Sequence, residues 1–288
     1  MTSSDRPARG LDWASDASRR WADHADRLEA MLIPIDDILL PAAAIGRGER
    51  AVDIGCGRGA TTRAAASQAG PLGTATGIDI SATLIAEAGA IPPPPAAASI
   101  DWICADAAAH PFPPAAHDVA ISRFGAIFFE HPVAAFANLA AAVRSGGRLA
   151  MAVWQRRDAS EFQSLSIDIA VRVAAEHGVE LRPAPPDAGP FAYGSDTHTR
   201  PILEAAGWID VAVEPHELPL YVGGPGTTPE QAVKMGRETG PLGMLLRDAP
   251  IDVADAVAAA LVEEMHARWV GTGVALTAAI AIVTARRP

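Results

Sequence analysis

The chain has 288 residues, 49% of them hydrophobic and 20% charged, with a net charge of −11. This composition excludes a disordered chain and leaves room for one large domain or two small ones. The acidic balance disfavours nucleic acid or an anionic membrane surface as a partner, since both repel it. No apolar run reaches the ~18 residues of a membrane span, and the opening MTSSDRPARG lacks the apolar stretch of a signal peptide. Two cysteines, Cys56 and Cys104, make no disulfide framework and no metal cluster. A cytoplasmic enzyme or binding protein with no metal and no membrane insertion is expected.

Residues 1–45 read as an N-terminal helical cap. Trp13, Trp21, Leu28, Leu32 and Ile35 form an uneven apolar stripe over 11–45, punctuated by Pro34 and Pro41. Short β-branched runs then alternate with alanine-rich helical stretches over a core spanning 46–155. Strands are expected at 52–54, 74–80, 100–104, 118–122 and 148–154. Helices are expected at 58–69, at 81–90 with Ser81 as its cap, and at 132–144. The last of these has Pro132 in its first turn, Gly146 at its end, and a face of Val133, Phe136, Ala140 and Val143. The prolines at 92–95 belong to a loop. This β–α alternation argues for an open parallel sheet with helices on both faces.

The second half is less regular. Residues 156–195 read as an insertion with a helix over 156–180 and a Pro/Gly loop over 182–195. A core helix at 201–206, ended by Gly207, and a strand near 208–218 occupy 196–221. A loop and helical insertion covers 222–274, and a final strand lies within 275–288.

The sharpest local feature is Val52-Asp53-Ile54-Gly55-Cys56-Gly57-Arg58-Gly59, where a strand ends and a helix begins. Glycines there allow a tight turn and close approach of a ligand to the backbone and the helix N-terminus. Gly55-x-Gly57-x-x-Ala60 fits a dinucleotide fingerprint. Gly55-x-Gly57-x-Gly59 preceded by Asp53 fits a nucleoside–amino-acid ligand instead. Asp53 lies inside the strand, where its charge would repel a pyrophosphate but suit an ammonium or sulfonium. S-adenosylmethionine carries both. A tight turn with a capped aspartate and no ligand is the bland alternative. Asp79 ends the second strand, where a carboxylate accepts from ribose hydroxyls. Asp106 follows the third strand, where it could accept from an adenine amino group while the Ala107 N–H donates to the ring. Three acidic residues at successive strand ends mark one ligand-binding edge.

On these residues the chain resembles the class I S-adenosylmethionine-dependent methyltransferases, over roughly residues 46–155 and more weakly to the end. VDIGCGRG, GIDIS (77–81) and ICADA (103–107) resemble the family's first three motifs. The stretch from His117 to Trp154, with SRFG and FFEHP, is similar to the ubiquinone/menaquinone-biosynthesis-like branch. LEAAGW (203–208) and VTARRP resemble its later elements. The resemblance implies a Rossmann-like α/β fold: a seven-stranded, mostly parallel sheet with an antiparallel last strand and helical lid insertions. It implies cofactor contacts from Asp53, Gly55, Cys56, Gly57, Gly59, Asp79, Ile80, Asp106, Ala107, Ser122 and Arg123. It also implies that the N-terminal helices cover the cofactor and that the insertions build the substrate pocket.

Methyl transfer from a sulfonium is an in-line displacement that depends on alignment and water exclusion. Where a base is needed, Glu130 and His131, after the fourth strand, are the candidates, because imidazole titrates near neutral pH. Their bland alternative is exposure at the start of the next helix. His198 and His216 are weaker base candidates, with surface or packing roles as their bland alternative, and Tyr193 on its Pro/Gly loop is a candidate for lining the pocket. Arg123 suits either a carboxylate of cofactor or substrate, or a buried carboxylate of the protein. Cys56 and Cys104 are assigned no chemistry. Trp13 and Trp21 suit either a lid over the cofactor or core packing. The expected function is methyl transfer from S-adenosyl-L-methionine to a small, fairly apolar acceptor. An NAD(P)-dependent oxidoreductase and a repurposed S-adenosylmethionine binder are the alternatives. A homodimer is compatible with the sequence.

Overall fold

In the computed structural model, which describes residues 16–288 with side chains from Ser18 onward, the β-branched runs become one sheet. Its strands are β1 (Arg50–Ile54), β2 (Thr74–Asp79), β3 (Ser99–Cys104), β4 (His117–Arg123), β5 (Val143–Trp154), β6 (Ile209–Tyr221) and β7 (Ala275–Arg286). They lie in the order β3-β2-β1-β4-β5-β7-β6. Strands β1 to β5 pair in parallel, and β7 runs antiparallel to both β5 and β6. The antiparallel last strand is therefore present, inserted between β5 and β6. The central strands are buried along nearly their whole length, as expected where helices cover both faces of a parallel sheet.

The helices are α1 (Asp16–Asp23), α2 (Ala25–Ala43), α3 (Ala60–Ala69), α4 (Ala82–Ala90), α5 (Pro132–Ala142), α6 (Glu161–Glu176), α7 (Asp196–Ala205), α8 (Pro229–Thr239), α9 (Pro241–Leu245) and α10 (Ile251–Ala267). Ser81 caps α4 as expected, its hydroxyl accepting from Leu84 N–H. Several boundaries differ from the sequence reading, three of them for a clear physical reason. The N-terminal stretch breaks at His24, yet α2 runs through both Pro34 and Pro41. Burial of Leu28, Met31, Leu32, Ile35, Leu39 and Leu40 along one face outweighs the ~3 kcal/mol that a helical proline costs. Helix α5 stops at Ala142, because Val143 already turns extended to pair with His117. Val133 is consequently exposed while Phe136, Leu139 and Ala140 face the core, and Gly146 lies within β5 rather than at a helix end. Helix α7 starts earlier than expected and contains Pro201, although Gly207, at φ +89°, does end it.

The main core fills the space between the sheet, α2, α3 and α5. Trp208 is 1% exposed and donates its indole N–H to Phe136 O, fixing the start of β6 against α5. A second apolar cluster joins Ile169 and Val173 of α6 to Val233 of α8, Leu242 of α9 and Val257 and Leu261 of α10. The two insertions, distant in sequence, thus pack as one helical layer. No helix among the described residues is long and apolar enough to cross a membrane.

Candidate active site

The carboxyl ends of β1, β2, β3 and β4 meet along one edge of the sheet, and nearly every proposed contact lies there. Gly55, Gly57 and Gly59 all have positive φ, but the three do different work. A Cβ on Gly55 would lie 2.5 Å from Cα of Gly125, so Gly55 lets the tips of β1 and β4 cross backbone to backbone. A Cβ on Gly59 would lie 2.1 Å from the Trp102 ring, so Gly59 makes room for an indole of β3. Gly77 on β2 is also bare for Trp102, at 2.5 Å. Only Gly57 opens onto free space, with no atom within 4 Å of an added Cβ. Of the three turn glycines, Gly57 alone leaves the room for close approach that the sequence led one to expect of the whole turn.

Asp53 is 1% exposed beneath this turn. Its Oδ2 accepts from the Thr61 and Thr62 hydroxyls at 2.6 and 2.7 Å, while Oδ1 is buried with no partner. Burial pushes its carboxyl up to about 6, against the two threonine bonds and the charge of Arg123, which pull it down. Asp79 closes the turn from β2: one oxygen accepts from Gly57 N–H at 2.9 Å and the other from Ser81 N–H at 2.8 Å. Burial raises its carboxyl as well, opposed by those two bonds. Ile80, the next residue, is 45% exposed.

Asp106 is exposed after β3 and accepts from Ala108 N–H, capping its own turn. Ala107 is buried, and Asn138 of α5 holds this turn by donating to the carbonyls of Ala107 and His110. Ser122 is committed to the frame, donating to Ile54 O and accepting from Ala126 N–H. Arg123 donates to Asp36 of α2 at 2.5 Å, both side chains being largely buried. The second of its two sequence readings, partner to a buried carboxylate, is the arrangement found. Cys56 is buried with its thiol pushed up by burial beside Asp53 and Asp79, and Cys104 is exposed.

Helix α2 packs on the sheet, and its first turn reaches this edge. Arg58 of the turn pairs with Asp26 of α2 at 2.7 Å and Glu87 of α4 at 3.0 Å. His24 meets Glu238 of α8 at 2.5 Å, and Arg27 donates to the Thr227 hydroxyl. Trp21 packs against the main core, and Trp13 lies outside the described residues. At the tips of β4 and β5, Phe124, itself at φ +64°, stacks on Trp154 at 4.1 Å. Trp154 stacks on Phe162 of α6 at 5.9 Å.

Glu130 and His131 are both exposed, His131 standing immediately before α5. Tyr193 is a buried core residue edge-on to an exposed His198, and His216 lies mid-strand in β6. Sequence reasoning missed Asp36, Trp102, Asn138 and the Arg58 pairs. The role of Gly125 was missed too, although the SRFG run that holds it was a visible signal.

The family model described as Methyltransferase domain matches residues 52–151. Aklanonic acid methyltransferase DauC of Streptomyces sp. (strain C5) is 37% identical over 103 residues. That alignment covers 36% of this chain and 47% of DauC, about half the length of that relative. Two solved structures share the fold. The YcgJ protein of Bacillus subtilis is 16% identical at a TM-score of 0.52, covering 88% of this chain and 98% of that one. Phosphoethanolamine N-methyltransferase 2 of Haemonchus contortus, solved with S-adenosyl-L-methionine, is 16% identical at a TM-score of 0.53, covering 98% and 61%. The oxidoreductase alternative gains no support, since an antiparallel strand separates β5 from β6, unlike the all-parallel dinucleotide order. Residues 52–151 thus match a methyltransferase-domain model, and the chain as a whole shares the fold of these solved structures.

Proposed function

We propose that the chain is an S-adenosylmethionine-dependent methyltransferase acting in the cytoplasm on a small, apolar acceptor rather than on nucleic acid. The observation that carries this reading is the bare Oδ1 of buried Asp53 beneath the open backbone of Gly57. A buried carboxylate oxygen without a donor is costly, and a cationic ligand removes that cost. The donor set fits: Asp53 suits an ammonium, Asp79 keeps lone pairs for ribose hydroxyls, and the Asp106–Ala107 turn suits an adenine edge. Ile80, exposed between Asp79 and that turn, suits an apolar purine face.

When bound, the cofactor supplies an electrophilic methyl on a sulfonium. The chain's own work is alignment and exclusion of water. The Arg58–Asp26 and His24–Glu238 contacts tether the start of α2 beside the cradle, which supports a role for these helices in keeping water out. The stacked rings of Phe124, Trp154 and Phe162 favour a planar, apolar acceptor beside the β4 and β5 tips. DauC is named for methylation of aklanonic acid, which supports a small-molecule acceptor. Glu130 and His131 stand on the adjoining rim as base candidates for an acceptor that arrives protonated.

The test is transfer of a labelled methyl group from S-adenosylmethionine to a panel of planar apolar phenols, acids and amines. Label entering an acceptor, with S-adenosylhomocysteine formed in equal amount, supports the reading. Tight cofactor binding with no transfer to any acceptor class would favour the repurposed binder.

A further inference from the structure

A buried charge imbalance sits where the cap helix meets the sheet. Asp36 of α2 and Asp53 of β1 contribute two carboxylates, and Arg123 of β4 one guanidinium. Arg123 satisfies one oxygen of Asp36, while Thr61 and Thr62 satisfy one oxygen of Asp53. The remaining Oδ1 of each carboxylate is buried and accepts from nothing. Asp53 feels the charges of both Arg123 and Asp36, so the three groups share one electrostatic site. If both carboxylates are ionised, the cluster carries one uncompensated negative charge and two unused acceptors. Leaving these bare is costly, and burial raises both carboxyls in response.

A group with one positive charge and several N–H donors would balance both deficits. A primary ammonium has this chemistry. A neutral donor would leave the charge, and a bare monovalent cation would supply no hydrogen bond. We propose that Asp36, from the cap helix, is a second binding residue for the cofactor's α-ammonium, closing over it opposite Asp53. This rests on the function proposed above and extends the site beyond the matched domain, since Asp36 precedes residue 52. It also gives the cap a reason to close: the helix that excludes water brings one of the two carboxylates. Arg123 acts as a positioning residue that aims Asp36 through its hydrogen bond.

The test is calorimetric titration of the full chain with three ligands. They are S-adenosylhomocysteine, its deaminated counterpart with hydrogen in place of the α-ammonium, and 5′-methylthioadenosine, which lacks the amino-acid end. Asp36→Asn should weaken S-adenosylhomocysteine about tenfold or more, in line with loss of a charged hydrogen bond. It should leave the other two ligands within about twofold. Equal weakening of all three would overturn the proposal, because Asp36 would then only support Arg123 and the cap. No effect on any would overturn it also. If Asp36→Asn does not fold, the paired variant Asp36→Asn/Arg123→Gln removes both charges and should lose the same selectivity. Retained selectivity there refutes the proposal. A wild-type chain that binds none of the three ligands would instead reject the underlying function, and this inference with it.

Discussion

Replacing Asp53 with asparagine should stabilise the ligand-free protein at neutral pH. Asp53 is raised in the folded chain from an ordinary 3.8 to about 6, mainly by burial. A carboxyl raised by folding makes the native state bind more protons than the unfolded one, so stability falls as pH rises between those values. At about 1.4 kcal/mol per tenfold, the full cost above pH 6 is about 3 kcal/mol. Asparagine keeps an acceptor for Thr61 and Thr62 but places an unpaired N–H₂ at the bare Oδ1 position, costing about 1 kcal/mol or more. A net gain of about 1–2 kcal/mol is expected at pH 7, or a few degrees in Tm. Urea unfolding of both proteins from pH 4 to pH 8 measures it. The charge-dependent part should be about half as large at pH 5 and nearly gone at pH 4. The same substitution should weaken S-adenosylhomocysteine about tenfold or more. Destabilisation by Asp53→Asn that is equal at pH 5 and pH 7 would refute the reasoning, because Asp53 would then act as an ordinary bonded carboxylate.

The glycines offer a sharper contrast than their shared motif suggests. Gly57→Ala should fold, at a cost of about 1 kcal/mol for the left-handed backbone, yet lose cofactor affinity in the same titration. Gly55→Ala, whose Cβ meets the Gly125 backbone, should fail to give soluble folded protein on expression. Trp208→Ala should cost about 3–5 kcal/mol in urea unfolding, since it empties a fully buried site and strands Phe136 O. Breaking the His24–Glu238 contact with Glu238→Gln should raise amide exchange in α1 and the start of α2 with a stability change of about 1 kcal/mol or less. Unchanged exchange there would show that this contact does not hold the cap down.

The edge of the sheet was legible in the sequence because its signals are local. Asp53, the glycine turn, Asp79 and Asp106 each sit within a few residues of a strand end, and strand ends follow from short β-branched runs. The division of labour among the glycines was not legible, since it depends on what crosses each one: Gly125 from β4 and Trp102 from β3 are far away in the chain. Asp36 was hidden for the same reason. On α2 it is one acidic residue beside Asp37, and only the packing of α2 on β4 buries it against Arg123. The prolines misled because helix breaking is a local tendency, whereas α2 is held by an apolar face along most of its length. The insertions were opaque because their apolar positions serve one another across the gap between α6 and α10 rather than a motif.

The central claim is that the Gly57 cradle, with Asp53 and Asp79, holds an adenosyl amino-acid ligand. Calorimetric titration of the purified chain and of Asp79→Ala with S-adenosylmethionine, S-adenosylhomocysteine and NADH tests it most directly. The account expects saturable one-to-one binding of the two adenosyl ligands, weakened in the variant, and no binding of NADH. NADH binding without a response to either adenosyl ligand would contradict it.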